Sequence, residues 1–369
     1  MRVVIAKKTL STVGGSEMVA RSLDRELRAL GHDVTLVGMR PAWARPGIAE
    51  DRLSVFLPVR GGRLGAAIDG VLPTTLVRQE DLRAAIKGAD VVHSMAREWA
   101  GALERAARAE GAAFVETPLV HPGQPFSGDG AGDVARYRRD DAVIALTEWE
   151  AGWYRDHGVP GVHVTGLGPN LLTFPNIARE PATILFVGRK ERYKGYHALR
   201  DAAAAVWRKS PDARFIAIGQ PAWTARFTRP LRDPRWEELG IVSEETKAAA
   251  YARASIFAMP SDHETFGLTY LEAWMAGLPV IAGDIAPLRE VVREGIDGLH
   301  TRNDAGAVAA GILTLLRDPE RARRMGESGR ERALSVFTWA AVAKKTEAAY
   351  RDAATWRQRG RHVRRHAGR

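Results

Sequence analysis

Short apolar runs alternate with amphipathic stretches along most of the chain. In the first half the apolar runs are Val3–Ala6, Val34–Val37, Val55–Val59, Val91–His93, Ala113–Val115, Val143–Leu146 and His163–Thr165. Helical periodicity falls between several of them, at Ser16–Leu30, Glu98–Glu110 and Glu148–His157, with Ser16 placed as an N-cap. The alternation restarts at Thr183. Its strands are Ile184–Val187, Phe215–Ile218, Ile256–Met259 and Val280–Ala282. Its helices are about His197–Lys209, Glu244–Arg253, Leu268–Ala276 and Pro287–Glu294. Continuous apolar strands alternating with helices predict parallel sheets covered on both faces. Two such runs in tandem predict an α/β chain of two Rossmann-like domains. Proline punctuates 168–181 and periodicity fades there, so the first domain is drawn as 1–175 and the second as 176–340. From Ala305 the pattern is all helical. A last amphipathic helix begins at Phe337-Thr-Trp339 and runs through Tyr350.

Composition narrows the class. A chain of 369 residues is too long for one ordinary core. No stretch reaches the ~18 apolar residues of a membrane span, and the apolar run at the N-terminus is too short for a signal peptide. The absence of cysteine excludes disulfides, thiol catalysis and thiolate metal sites, and it fits a cytoplasmic setting. The net charge is +10, but six Arg and no acid lie between Trp356 and Arg369; without them it is +4. This segment, 356–369, lacks apolar periodicity and reads first as a solvated, disordered tail. Its charge also suits peripheral contact with an anionic membrane at the inner face. No aromatic residues interleave with the basic ones, so nucleic acid is not an expected partner.

The most informative stretch is Pro260-Ser-Asp-His-Glu-Thr-Phe-Gly-Leu-Thr-Tyr-Leu-Glu-Ala-Trp-Met-Ala-Gly-Leu-Pro-Val280. It follows a buried strand and opens a helix near Phe266. The unpaired N–H groups that begin a helix suit an anion. Glu264 and Glu272, with seven residues between them, can each accept two hydroxyl hydrogens, as a diol requires. A second constellation, Gly188-Arg-Lys-Glu-Arg-Tyr-Lys-Gly195, places Arg189 and Lys194 in the turn after the first strand of the second half. Arg189 offers a planar fork and Lys194 a point charge.

These segments resemble the E-x7-E and G-R-x4-K-G signatures of retaining glycosyltransferases of the GT-B fold, family 4 in particular. The resemblance implies two Rossmann-like domains facing each other across a cleft, the N-terminal one for acceptor and the C-terminal one for a nucleotide-sugar donor. It also implies that the helix after Phe337-x-Trp339, drawn as 341–355, returns to the first domain. Carried over, Glu264 contacts the donor sugar and Glu272 the ribose. The backbone at Phe266, Gly267, Leu268 and Thr269 lies on the diphosphate side. Arg189 and Lys194 neutralise the leaving diphosphate. Val242, in the turn Leu239-Gly-Ile-Val, flanks the base, and Lys247 either reaches the base or faces solvent. Gly14 and Gly15, between the first strand and first helix, face phosphates. They do not form G-x-G-x-x-G, so dinucleotide binding is poorly supported. His121, after the strand ending at Val115, contacts the sugar at the reacting centre. Two departures stand out: Pro169-Asn-Leu-Leu replaces the family's usual Asn-Gly-Val-Asp, and the residues after His121 do not follow the expected pattern.

The implied activity is transfer of a sugar from a nucleoside diphosphate sugar, of UDP or GDP type, to an acceptor hydroxyl. The acceptor is a carbohydrate, lipid or small molecule. No cofactor and no metal are expected, because no His-x-x-x-His, Cys pair or Asp-rich loop has metal spacing. Asp140-Asp141 reads as a solvated corner. A nucleotide-sugar 2-epimerase and a non-catalytic nucleotide-sugar sensor are the alternatives. The first needs catalytic acids in the N-terminal half, where none stand out; the second needs no acceptor site.

Overall fold

The computed structural model describes residues 1–10, 15–39, 54–57, 77–123, 127–221 and 231–367. The chain forms two compact units: Met1–Leu167 with Trp339–Arg369, and Gly168–Thr338.

Unit 1 is built on a seven-stranded sheet with strand order β3-β2-β1-β4-β5-β6-β7. The strands are β1 (Arg2–Thr9), β2 (Asp33–Met39), β3 (Ser54–Phe56), β4 (Val91–Ser94), β5 (Ala113–Glu116), β6 (Ala142–Ala145) and β7 (Val162–Val164). All pairings are parallel. The helices between them are α1 (Gly15–Ala29), α2 (Gln79–Ile86), α3 (Arg97–Glu110), α4 (Ala131–Tyr137) and α5 (Glu148–Asp156). Val3, Val4 and Ile5 are fully buried, as a strand covered on both faces requires. Thr147 caps α5 by accepting from the Glu150 N–H at 3.2 Å.

Unit 2 holds a six-stranded parallel sheet of order β10-β9-β8-β11-β12-β13. Its strands are β8 (Thr183–Val187), β9 (Arg214–Ile218), β10 (Trp236–Leu239), β11 (Ile256–Met259), β12 (Val280–Gly283) and β13 (Gly298–Thr301). Its helices are α6 (Tyr196–Lys209), α7 (Glu244–Arg253), α8 (Leu268–Met275), α9 (Ala286–Val291), α10 (Ala305–Arg317) and α11 (Pro319–Ser335). In both sheets the strand order reverses beside the first strand, at β1/β4 and at β8/β11. Such reversals are where open α/β sheets place ligands, outside the carboxyl ends of the strands.

The unit boundary falls at Leu167 rather than at residue 175, because 168–181 packs on unit 2. The Glu180 N–H donates to the Arg253 carbonyl at 2.7 Å, and Phe174 meets Tyr251 edge-on at 6.2 Å. The last helix, α12 (Trp339–Ala367), belongs to unit 1. Its Tyr350 hydroxyl is 2.7 Å from His93 Nδ1 on β4. It continues through most of 356–369, the segment the sequence pattern leaves as a tail. No helix among the described residues is long and apolar enough to cross a membrane.

Candidate active site

The two motifs of the second half meet at the β8/β11 reversal. The basic loop, Gly188–Gly195, leaves the end of β8, and the acidic loop, Pro260–Gly267, leaves the end of β11. They are fastened to each other. The Asp262 N–H donates to the Tyr193 carbonyl at 2.7 Å, and Ser261 Oγ, fully buried, donates to the same oxygen at 3.0 Å. Asn303 Nδ2 bridges the Arg192 carbonyl at 3.0 Å and Asp262 Oδ2 at 2.7 Å. Gly195 makes the close approach possible. Its φ is +78°, and a Cβ there would lie 2.6 Å from both Pro260 Cγ and the Pro260 carbonyl oxygen. The Lys-Gly ending of the basic motif is thus a packing requirement against the first residue of the acidic one.

This fastening brings Lys194 to Glu264. The ammonium pairs with the carboxylate, and both side chains are mostly buried. Arg189 is exposed, its guanidinium 5.3 Å from the Tyr193 ring centre. The helix that follows the acidic loop, α8, has no side chain capping its start. Its N-cap, Gly267, has φ +86°, and a Cβ there would fall 2.3 Å from the Tyr270 ring. Only glycine fits, so the backbone N–H groups of the helix start remain for a ligand. Phe266 is buried against Phe337, ring centres 5.4 Å apart, so its side chain is core and only its backbone faces outward chemistry. Leu268 and Thr269 are half-buried, and Thr269 Oγ1 lies 3.7 Å from Met259 Sδ.

Glu272 sits just over one turn into α8 and is 3% exposed. Burial pushes its carboxyl above the usual range, against the pull of Lys247 and Tyr251. The Tyr251 hydroxyl donates to Oε2 at 3.1 Å, and Lys247 Nζ lies 3.7 Å from Oε1 and 2.9 Å from Glu244 Oε2. Lys247 is mostly buried and lies between the carboxylates of Glu244 and Glu272, nearer to Glu244. Val242 is half-buried in the turn before α7, whose N-cap, Ser243, accepts from the Thr246 N–H at 3.2 Å. That turn is braced from below. Lys190, 4% exposed, donates to the Leu239 carbonyl and pairs with Glu238, while the Gly219 N–H donates to the Gly240 carbonyl at 3.0 Å.

In unit 1, Gly15 is the first residue of α1, and Gly14 lies outside the described residues. His121 is half-buried in the loop after β5. Two residues earlier, Leu119 takes a left-handed backbone, φ +57°. A buried carboxylate ties this loop down. Glu150, 1% exposed, accepts from the Val120 N–H at 3.2 Å, the Leu146 N–H at 2.8 Å and the Tyr154 hydroxyl at 3.2 Å. Burial raises its pKa to about 7 despite those donors. His93, 1% exposed, stands between Tyr350 and the Thr117 hydroxyl, 2.7 Å from each, and burial pushes it down to about 3, so its imidazole is neutral. Asp140 is not a solvated corner. It is 3% exposed beside the fully buried Glu116, which Arg136 holds with two hydrogen bonds of 3.0 and 3.1 Å.

Comparison with known proteins places the chain in a family. Residues 172–332 match the family described as glycosyl transferases group 1, and residues 14–169 match a glycosyl transferase 4-like domain. The chain belongs to the group 1 glycosyl transferases. It is 28% identical over 386 residues to the glycogen synthase of Mycobacterium tuberculosis (strain CDC 1551 / Oshkosh), covering 92% of this chain and 91% of that protein. Among solved structures it is similar to sucrose-phosphate synthase from Thermosynechococcus elongatus, with a TM-score of 0.75 at 21% identity over 95% of this chain and 98% of that one. It is also similar to Anabaena HepE in complex with UDP and glucose, at 0.74 and 16% over 94% and 98%. At these identities the structural likeness establishes the GT-B fold.

For this glycosyltransferase, the residues brought together in unit 2 are Arg189, Lys194, Glu264 and the start of α8. Glu272 joins them through α8 itself and is tied to the Val242 turn through Lys247 and α7. Gly15 and His121 lie in unit 1. Sequence reasoning passed over Tyr193, Ser261, Lys190 and Glu150. Tyr193 and Lys190 lay within the quoted basic motif, where a buried cation beside an exposed one is invisible. Glu150 had a weak signal: an acid three residues after a capping Thr, on the buried side of a helix.

Proposed function

We propose that the chain transfers a sugar from a nucleoside diphosphate sugar to an acceptor hydroxyl with retention at the anomeric carbon. The observation that carries this reading is the fastening of the basic loop to the acidic loop at the β8/β11 reversal. It supports a site with cations for a diphosphate next to a carboxylate for hydroxyls. UDP and glucose bound to HepE support a UDP-type donor, with GDP the other candidate.

In this reading Val242 and its neighbours hold the base, and Glu272 accepts the ribose hydroxyls. The backbone from Phe266 to Thr269 meets the diphosphate. Glu264 orients the sugar, and Arg189 with Lys194 stabilises the charge that grows on the terminal phosphate as its bond to the anomeric carbon breaks. The acceptor oxygen forms its new bond on the same face, and its proton passes to a phosphate oxygen. Glu264 already pairs with Lys194, which favours a positioning role over that of a nucleophile. His121 keeps the sugar contact that the resemblance implies for it. Activity needs no divalent metal.

A thermal-shift screen of UDP, GDP and ADP sugars, followed by NMR of the transferred product, tests this. One donor should raise the melting temperature and give a product with the donor's anomeric configuration. No shift with any nucleotide sugar, or an inverted product, would overturn the assignment.

A further inference from the structure

Glu150 is a buried carboxylate that no cation offsets among the described residues. It is 1% exposed, and besides burial what acts on its carboxyl is three neutral donors: the Val120 N–H, the Leu146 N–H and the Tyr154 hydroxyl. The Tyr154 ring meets that of Tyr137 on α4 edge-on at 5.5 Å, and Glu116, at the end of β5, is near enough to act on Tyr154. A charge buried without an opposite charge is costly, and a glutamine would fill the same space. What this charge holds is specific. The Val120 N–H belongs to the peptide that joins Leu119 to Val120. Leu119, at φ +57°, is one of the two described non-glycine residues with a positive φ, Ala182 being the other. Leucine disfavours that conformation. It is kept here because the N–H of its following peptide points inward at Glu150 Oε1, 3.2 Å away, while the Val120 side chain is enclosed in a core with Tyr137 and Tyr154.

That peptide has two ways to lie. With the carboxylate as acceptor it is held with Leu119 left-handed. Without a full acceptor Leu119 is free to return to a negative φ, and turning the peptide re-aims the chain one residue before His121. We propose that Glu150 is a positioning residue for the transfer reaction: it holds the 119–120 peptide and so sets the direction in which His121 leaves the loop. This rests on the reading of His121 as the sugar contact. A carboxylate oxygen that takes a proton turns from acceptor into donor, and the N–H or O–H facing it loses its partner. Burial raises the Glu150 pKa to about 7, so the hold weakens as pH falls through neutrality. The phenols of Tyr154 and Tyr137 are raised by burial and keep their protons in that range, and Glu116 is held by Arg136. His121 is the other titratable group of this loop, and its effect is separable.

Tyr154→Phe removes one donor from Oε1 and leaves both backbone ties. With the donor that the thermal-shift screen identifies, kcat of wild type should fall on the acid side of about pH 7. In Tyr154→Phe this limb should move up by roughly half a pH unit to one unit, because the carboxylate has lost a bond that favours its ionised form. A limb belonging to His121 would stay in place. Glu150→Gln should lower kcat about tenfold or more and flatten the limb. Nucleoside diphosphate affinity by calorimetry should not change, since the residues assigned to the nucleotide lie in unit 2. In protein isotopically labelled at valine nitrogen, the Val120 amide signal, assigned by its loss in Val120→Ile, should titrate near neutral pH in wild type and stay fixed in Glu150→Gln. An unmoved limb in Tyr154→Phe, or a wild-type Val120 amide that does not titrate, overturns the proposal. Wild-type kcat in a folded Glu150→Gln does the same; if that variant does not fold, the other two measurements decide. If wild type turns over no nucleotide sugar while the Val120 amide titrates, it is the donor reading that has failed and not the hold of Glu150 on the loop.

Discussion

At the scale of single residues, Glu272 shows how a ligand contact and a structural contact share one carboxylate. Its two oxygens face Tyr251 and Lys247, and it is 3% exposed. Cutting it to Ala would strand a buried phenol and a largely buried ammonium, so lost binding would be mixed with lost stability. Glu272→Gln is the cleaner change. The amide oxygen still accepts from Tyr251, while the charge that would strengthen bonds to a ribose diol is gone. We expect nucleoside diphosphate binding to weaken by about 1–3 kcal/mol. The 2′-deoxy analogue should lose less, so that preference for ribose shrinks. Calorimetry with both analogues checks this, and an unchanged preference would remove Glu272 from the ribose. The E-x7-E spacing pointed to this residue, but its tie to Lys247 was not legible, because that pairing depends on how α7 lies against α8.

At the scale of elements, strands with a continuous apolar run were legible and the two edge strands of unit 2, which lack one, were not. β8 and β11 are apolar throughout and fully buried, and both were readable from the sequence. β10 reads Trp-Glu-Glu-Leu and β13 reads Gly-Leu-His-Thr; each lies at a sheet edge, where one side needs no continuous apolar run. The same blindness hid the acid pair at the ends of β5 and α4. Asp140 finds no hydrogen-bond donor in the fold, and its neighbour Glu116 is already committed to Arg136. Burial, then the charge of Glu116, pushes Asp140 far above the ordinary carboxyl range. The expected carrier of a proton in this pair is Asp140, since Arg136 holds Glu116 as the charged partner. The sign follows: a carboxyl raised on folding stabilises fully below its unfolded value, near pH 4, and that stability drains away as pH rises. Asp140→Asn supplies a donor that does not titrate. We expect it to stabilise unit 1 by about 2 kcal/mol at pH 8, roughly 4–8 °C for a unit of this size, with little gain near pH 4. Thermal melts of both proteins across that range decide it; a gain independent of pH would show that Asp140 is not carrying the proton.

At the scale of the whole molecule, the charges gathered at the β8/β11 reversal bear on how a diphosphate would leave the proposed site. Enzymes that use Mg²⁺ or Mn²⁺ for this purpose must place free carboxylates beside the phosphates. In this glycosyltransferase Glu264 is paired with Lys194 and Glu272 is occupied by Tyr251 and Lys247. Among the described residues no three His, Asp or Glu side chains come together as metal ligands. What lies beside the departing phosphate in the proposed site is Arg189, Lys194 and the uncapped start of α8, which contributes about half a positive charge. A divalent cation would have to displace Lys194 from Glu264 and sit against Arg189. Turnover should therefore be the same in excess EDTA as in added Mg²⁺, while raising ionic strength should weaken donor binding, because exposed Arg189 is screened by salt. Transfer assays with the donor found by the thermal-shift screen distinguish the cases. Loss of turnover in EDTA with recovery on adding Mg²⁺ would require a carboxylate to leave the partner it has in this fold and become a ligand, and Glu264 would be the first to replace with Gln.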